Sequence, residues 1–308
     1  MTEKVYDIAI VGAGPAGMTA ALYALRAGKT VLLLEGQSYG GQIVESRLVE
    51  NYPGAPAING AELAEQMMAQ LRALDAEIVS VKVTGVKQGG DDFLVETNAD
   101  AYSARCVILA TGVGHRKLGV PGEAELIGRG VSFCATCDGM FFRRREVAVV
   151  GGGNTAVQDA LVLSEICSKV YLIHRREGFR AEERLMERVR SCENVEILTD
   201  TVVSEMKGEM RLESLTLKNV KSEEERELAV AGVFEAVGNL PQNAAFANLV
   251  TLDAEGYIQT DVDCRTSRAG VFAAGDCRQK KIRQLTTATA DGTVAALAAA
   301  DYLSGLDA

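Results

Sequence analysis

The segment Phe133-Cys134-Ala135-Thr136-Cys137-Asp138-Gly139-Met140-Phe141 puts two thiols within disulfide reach, with a carboxylate directly behind them. A thiol attacks a disulfide only as thiolate, so a neighbour able to take and return a proton matters. Asp138 is the only carboxylate in this segment, and an apolar environment would raise its pKa toward that task. Zinc is the competing use of a Cys pair. A structural zinc site needs four ligands, whereas the chain has no second Cys-x-x-Cys and only two histidines, His115 and His174. A redox pair is the economical reading. Cys106, Cys167, Cys192, Cys264 and Cys277 sit singly and read as packing residues.

Two glycine-rich turns flank this pair. The first, Gly12-Ala13-Gly14-Pro15-Ala16-Gly17, leads to Glu35 at the end of the next apolar run. The second, Gly151-Gly152-Gly153-Asn154-Thr155-Ala156, leads after the same interval to His174-Arg175-Arg176, with Arg180 following. Glycines at this spacing allow a tight turn and close approach of backbone to a pyrophosphate. The helix that follows adds the partial positive charge of its N-terminus. Glu35 suits ribose hydroxyls, whereas guanidinium forks suit a 2′-phosphate. Opposite charge on the two copies implies two different dinucleotides, with NADP(H) preferred at the second site. Thr111-Gly112 and Gly275-Asp276 each end an apolar strand, where ligands bind in doubly wound sheets. Asp276 is a candidate for ribityl or pyrophosphate oxygens.

These turns need strands and helices to hold them. Tyr6–Val11 reads as a buried parallel strand, Met18–Ala27 as a helix ending at Gly28, and Thr30–Leu34 as the next strand. Glu146–Val150, Ala156–Ile166 and Lys169–Ile173 repeat that βαβ unit. Residues 78–97 read as a β-meander, Cys106–Ala110 as a strand, and a second meander follows the second βαβ unit. The charge run from Ser222 to Glu227 reads as a solvated hairpin tip. Val271–Ala274 ends in Gly275-Asp276, and Thr287–Leu303 forms an Ala-rich closing helix. The expected fold is α/β: two Rossmann-like dinucleotide-binding domains, the second inserted into the first, each with a β-meander. The expected boundaries are 1–114 and 244–308 for the outer domain and 115–243 for the inserted one, which carries the Cys pair.

With 308 residues the chain has room for about two domains of ~100–200 residues each. Its 47% apolar and 24% charged residues are ordinary for a globular protein. A net charge of −10 argues against nucleic acid and against an anionic membrane surface as partners. Glycines and Pro15 break the apolar stretch 8–27, so no membrane span and no secretion signal is expected there. Seven cysteines are too few for a disulfide scaffold and point to the cytoplasm.

From end to end the chain resembles the low-molecular-weight bacterial thioredoxin reductases, NADPH-dependent flavoproteins with two dinucleotide-binding domains. The resemblance rests on both glycine-rich turns, Gly40-Gly41-Gln42, Glu50-Asn51-Tyr52-Pro53-Gly54 and Ala110-Thr111-Gly112. It also rests on Cys134-Ala135-Thr136-Cys137-Asp138-Gly139, the His174-Arg175-Arg176 and Arg180 set, and Gly275-Asp276 with Arg283-Gln284. It implies FAD on the outer domain, NADPH on the inserted one, and a homodimer. By it Gly41, Gln42, Asn51, Val83, Asp276, Arg283, Gln284 and Leu285 join the cofactor-binding set. Cys137 becomes the sulfur facing the flavin, Cys134 the one that attacks thioredoxin, and Asp138 the acid/base. Two departures stand out. Met140 replaces the first of two aromatics often used to dock thioredoxin, although Phe141 and Phe142 follow. Val237-Gly238-Asn239-Leu240, with Pro241, departs from the commoner Ile-Gly-x-x-Pro.

The reaction implied is hydride transfer from NADPH to flavin, two electrons onward to the Cys134–Cys137 disulfide, then dithiol exchange with oxidised thioredoxin or a thioredoxin-like protein. Thioredoxin lies near about −270 mV, so the donor must lie lower, as NADPH does. The disulfide and the nicotinamide both belong to the inserted domain and must reach one ring in turn. A swing about linkers near 112–117 and 238–243 is therefore expected. One rival is an FAD-dependent dithiol oxidase, which has no use for Arg175, Arg176 and Arg180. Another is an NADPH-responsive redox sensor that does not turn over.

Overall fold

The computed structural model describes residues 4–46, 49–55 and 57–306. The chain starts with β1 (Val5–Val11), α1 (Pro15–Arg26), β2 (Val31–Glu35), α2 (Gly60–Arg72) and β3 (Glu77–Ser80). The meander β4 (Val83–Gly89), β5 (Asp92–Thr97) and β6 (Ala101–Leu109) follows, then β7 (Val113–His115). Next come α3 (Glu123–Leu126), β8 (Val131–Ser132), α4 (Ala135–Asp138), β9 (Glu146–Val150), α5 (Asn154–Ser164), β10 (Lys169–Ile173), α6 (Glu183–Arg190) and β11 (Val195–Leu198). A second meander, β12 (Thr201–Lys207), β13 (Ser214–Asn219) and β14 (Glu225–Ala229), precedes β15 (Gly232–Glu235) and β16 (Asn239–Pro241). The chain closes with β17 (Val271–Ala273) and α7 (Leu285–Leu306).

Two compact units result. The first takes residues up to Ser46, Tyr52–Gly114 and Leu240 onward; the second takes His115–Asn239 with the short stretch that ends at Asn51. The first unit is built on a sheet of order β3-β2-β1-β6-β5-β4, with β17 also paired to β6. β1, β2, β3, β6 and β17 run parallel to one another, while β5 pairs antiparallel with β6 and β4 antiparallel with β5 to add the meander. Successive residues of β1 enter opposite layers: Ile8 and Ile10 pack with α1 and α7, whereas Ala9 and Val11 pack with Val107, Leu109 and Ile258. A strand covered on both faces explains its unbroken apolar sequence. Ala16, Ala20 and Ala24 on α1 share one cluster with Ala288, Ala295 and Ala299 on α7, so small side chains let these helices approach closely.

The second unit repeats the plan on a sheet of order β11-β10-β9-β15-β8, all parallel. β12, β13 and β14 form a separate antiparallel sheet. The doubly wound α/β architecture expected from the sequence is therefore present, with a meander in each unit. The sequence reading did not place α2 or α6, although each joins parallel neighbours as part of a second crossover. One expectation is corrected. The charge run is not all hairpin tip, because Glu225, Arg226 and Glu227 pair with β13 as part of β14. On this outer strand the charged side chains stay exposed while the backbone is paired.

The second unit buries a carboxyl pair. Glu123 accepts the backbone N–H groups of Leu118, Gly119 and Val120. Glu235, at the end of β15, is 4% exposed, and neither of its carboxyl oxygens has a hydrogen-bonding protein donor. Burial, with the Glu123 carboxylate beside it, pushes Glu235 up to about 8. The folded chain thus keeps a proton that the unfolded chain releases above about 4.5. Stability should fall as pH rises from there to about 8 and level off beyond. Glu235→Gln is expected to resist urea better than the parent chain at alkaline pH, by a few kcal/mol at most, and to differ little near pH 5. An equal shift at both pH values would contradict a titrating Glu235.

Candidate active site

In the first unit the ends of parallel strands collect most of the predicted dinucleotide residues. β1 ends in the Gly12–Gly17 turn, β2 in Glu35, β6 just before Thr111 and Gly112, and β17 just before the turn Gly275–Cys277. α1 begins with Gly14 as N-cap and Pro15 in its first turn, and no side chain caps it. Its first N–H groups are left facing the turn. The helix lies so close that a Cβ on Gly17 would stand 1.8 Å from the Gly12 carbonyl oxygen, so only glycine fits. Glu35 Oε2 accepts the Ala13 N–H at 2.7 Å and its Oε1 accepts the Gln37 N–H at 2.8 Å, which fixes the carboxylate beside the turn.

Gly41 opens a short 3-10 turn, and its neighbour Gln42 donates Nε2 to the Val113 carbonyl at 2.6 Å. The Thr111 hydroxyl donates to Asn243 Oδ1 at 2.8 Å. Asn243, fully buried, also donates to the carbonyls of Gly256 and Cys277, both at 2.9 Å. This asparagine, expected from the sequence only as the end of a linker, staples the ends of β6 and β17 together. Arg283 lies over the Tyr257 ring at 4.1 Å and donates Nε to the Asp276 carbonyl. Gln284 and Leu285 lead into α7. Asp276 is held by burial above the usual carboxylate range, the nearby Lys280 ammonium opposing the shift, and its buried Oδ1 accepts no hydrogen bond. Val83 opens β4, two strands from β6 in the sheet order, and Asn51 groups with the second unit.

In the second unit β9 leads into Gly151, Gly152 and Gly153, and α5 starts at Asn154 and Thr155 with Gly153 as an N-cap that has no side-chain cap. His174, at the end of β10, is buried, lies against the Phe179 ring at 4.7 Å with the two planes tilted by 39°, and bonds to the Gly178 carbonyl through Nε2 at 3.2 Å. Its ring fills the space where a side chain on Gly152 would sit, within 2.1 Å of that Cβ. Burial first, then the neighbouring arginines, pull His174 below its usual value, so it is a neutral wedge at neutral pH. The Arg180 N–H donates to the Gly152 carbonyl, and Asn154 and Glu182 exchange two hydrogen bonds at 2.8 and 3.0 Å. These contacts strap the arginine segment onto the turn. Arg175, Arg176 and Arg180 are exposed, and among the described residues their guanidinium groups form no hydrogen bond or ion pair.

β8 ends on the same sheet edge and delivers the dithiol. Cys134 and Cys137 form a disulfide, with Cys137 and Asp138 on α4. Ser132 Oγ donates to Asp138 Oδ2 at 2.6 Å and accepts the Cys134 N–H at 3.2 Å. Burial raises the Asp138 pKa and the Ser132 hydroxyl pulls it back. Ser132 lies six residues upstream of Asp138, where no spacing rule singles it out. The other thiols are unlinked, and burial pushes Cys106 and Cys264 up to about 12 and Cys167 up to about 11. Such thiols stay protonated and inert.

Two glycine turns at uncapped helix starts and one disulfide with a half-buried acid beside it define a dinucleotide-dependent disulfide oxidoreductase. The pyridine nucleotide-disulphide oxidoreductase family profile matches residues 6–292, and the chain belongs to that family. It is 46% identical over 305 residues to a thioredoxin reductase of Treponema pallidum, covering 99% of each chain. It is 43% identical to that of Bacillus subtilis, covering 99% of this chain and 96% of the other. The crystal structure of thioredoxin reductase from Streptococcus pyogenes superposes with a TM-score of 0.94 at 42% identity, covering 99% of this chain and all of that one.

Removing the Ser132 hydroxyl takes away the bond that favours ionised Asp138. Ser132→Ala should therefore move the alkaline limb of disulfide-exchange rate against pH upward by about one unit. A limb that stays put or moves down would contradict the assignment of proton transfer to Asp138.

Proposed function

We propose that this chain is an NADPH-dependent thioredoxin-disulfide reductase that holds FAD on its first unit and NADPH on its second. The observation that carries the reading is the disulfide Cys134–Cys137 with half-buried Asp138, on the same sheet edge as a glycine turn faced by three unpaired arginines. The residues of the first unit suit a flavin dinucleotide. The uncapped α1 start and its glycine turn offer N–H groups to a pyrophosphate, Glu35 offers a fixed carboxylate to a ribose, and Asp276 Oδ1 lacks a donor. Gly12, Gly14, Pro15, Ala16, Gly17, Gly41, Gln42, Thr111, Gly112, Gly275, Arg283, Gln284 and Leu285 would line that site, with Asn51 and Val83 as further members. In the second unit Gly151, Gly153, Asn154 and Thr155 would meet the nucleotide phosphates, and Arg175, Arg176 and Arg180 the 2′-phosphate. A flavin supplies, when bound, a two-electron relay between reduced nicotinamide and the disulfide.

The protein's own chemistry is thiol exchange. The Cys134 thiolate attacks one sulfur of the partner disulfide, forming a mixed disulfide and releasing the other partner sulfur, which takes the proton held by Asp138. Cys137 thiolate then attacks Cys134 Sγ, which restores the Cys134–Cys137 bond and frees the partner's second sulfur as a thiolate, which takes its proton from water. Met140 and Phe141, 54% and 43% exposed beside the pair, offer an apolar edge to a thioredoxin-like partner. The arginines disfavour a dithiol oxidase, and a balanced exchange cycle disfavours a mere sensor.

A homodimer is proposed through the first unit. Tyr23 and Leu297 are exposed, and a groove of about 580 Å³ lined by Met18, Leu22, Tyr52, Met67 and Thr293 lies open. Among the described residues no helix is long and apolar enough to cross a membrane. Five unlinked cysteines fit the reducing cytoplasm.

Cys137→Ser is expected to abolish NADPH-driven thioredoxin reduction; retained reduction would exclude the dithiol route and with it this function. Arg175→Ala with Arg176→Ala should raise the KM for NADPH by about a hundredfold and leave that for NADH nearly unchanged. Equal losses with both nucleotides would contradict 2′-phosphate recognition.

A further inference from the structure

In the first unit two carboxylates and two cations meet at the root of α7, all largely buried. Lys280 Nζ donates to Asp291 Oδ2 at 2.9 Å and to Thr287 Oγ1 at 3.3 Å, and lies 3.3 Å from Asp276 Oδ1. Asp291, on α7, also accepts Arg278 Nη1 at 3.0 Å and the Gly275 N–H at 3.1 Å. Arg278 is committed elsewhere as well, to the Cys264 sulfur at 2.9 Å and the Asp261 carbonyl at 3.0 Å. The side chains of Lys280, Arg278 and Asp291 are only 13%, 12% and 15% exposed. Asp291 therefore fixes both the backbone from which Asp276 hangs and the ammonium that faces it.

We propose that Lys280, tethered by Asp291, is the counter-ion and positioning residue for Asp276, presenting its carboxylate as an oriented acceptor to the hydroxyl groups of a flavin's ribityl chain. This rests on the reading of Asp276 as a flavin-site residue. Lys280 contacts Asp276 by charge, without occupying Oδ1 as a hydrogen-bond donor, so the carboxylate stays open to a hydroxyl. The other groups around Asp276 do not replace it. Arg283 spends its Nε on the Asp276 carbonyl and its face on Tyr257, Arg278 is held by Asp291, Asp261 and Cys264, and the buried Cys277 thiol donates to the Leu109 carbonyl. Burial and the Asp291 charge both favour protonated Asp276, and Lys280 is the strongest influence opposing them. Without Lys280 the balance at Asp276 shifts toward the protonated carboxyl, which no longer offers that oxygen as an acceptor.

The test is equilibrium binding of FAD to the apoprotein, read by quenching of flavin fluorescence, between about pH 6 and about pH 9. The parent chain and Lys280→Arg should bind with nearly constant Kd. Lys280→Met should lose affinity as pH falls, by about tenfold or more across the range. Lys280→Gln, which keeps a polar partner for Asp291, carries the same expectation should Lys280→Met not yield folded apoprotein. A flat profile, or one that weakens toward high pH, overturns the proposal. Asp276→Asn separates the two levels. If it binds FAD as the parent does, the flavin-site reading of Asp276 fails; if it binds weakly while the Lys280 variants match the parent, only the role of Lys280 fails.

Discussion

The first unit depends on one close approach of backbone to backbone. Gly17 sits on α1 with its α-carbon against the carbonyl of Gly12, at a separation that leaves no room for a Cβ. That contact draws the uncapped helix start onto the end of β1, where its free N–H groups converge on the carboxyl edge of a parallel sheet. The second unit reaches the same result with different atoms, since the His174 ring occupies the space above Gly152. In both cases the absence of a side chain brings partial positive charge to a strand end. The surrounding residues then decide what the charge meets: Glu35 anchored by the turn itself, or arginines left unpaired at the surface.

Reactivity is confined by burial in a complementary way. Cys106, Cys167 and Cys264 are surrounded by packing that disfavours the thiolate, and none has a partner sulfur. The half-buried pair Cys134 and Cys137 is linked, and the nearby carboxyl of Asp138 is balanced between desolvation and the Ser132 hydroxyl. Among the described residues this pair is the one disulfide, and it has a carboxyl beside it for exchange. β8 and β9 run parallel to β15 on either side of it, so the dithiol and the second glycine turn leave one sheet edge.

Much of this was legible in the sequence because glycine turns, an acid or base at fixed offset, and a Cys-x-x-Cys are local patterns. The first crossover in each unit could be read for the same reason. α2 and α6 could not, because their signal is a half-exposed amphipathic stripe without a motif beside it. The charge run was read as turn alone because composition is blind to pairing, and β14 keeps those charges exposed while its backbone bonds to β13. Ser132, Asn243, Glu182 and Asp291 escaped notice because each acts through a contact that only the folded chain creates. Asn243 joins residues from three distant segments, and no spacing rule announces such a staple.

The proposed function requires electrons from a phosphorylated nicotinamide to end in the Cys134–Cys137 bond. Anaerobic titration of the oxidised, FAD-loaded protein with NADPH, with thiols counted by mass after alkylation, tests it directly. Two equivalents should be taken up per chain, with the appearance of two new alkylated thiols, both in the peptide that spans residues 134–137. Uptake of a single equivalent with that disulfide still closed would contradict it.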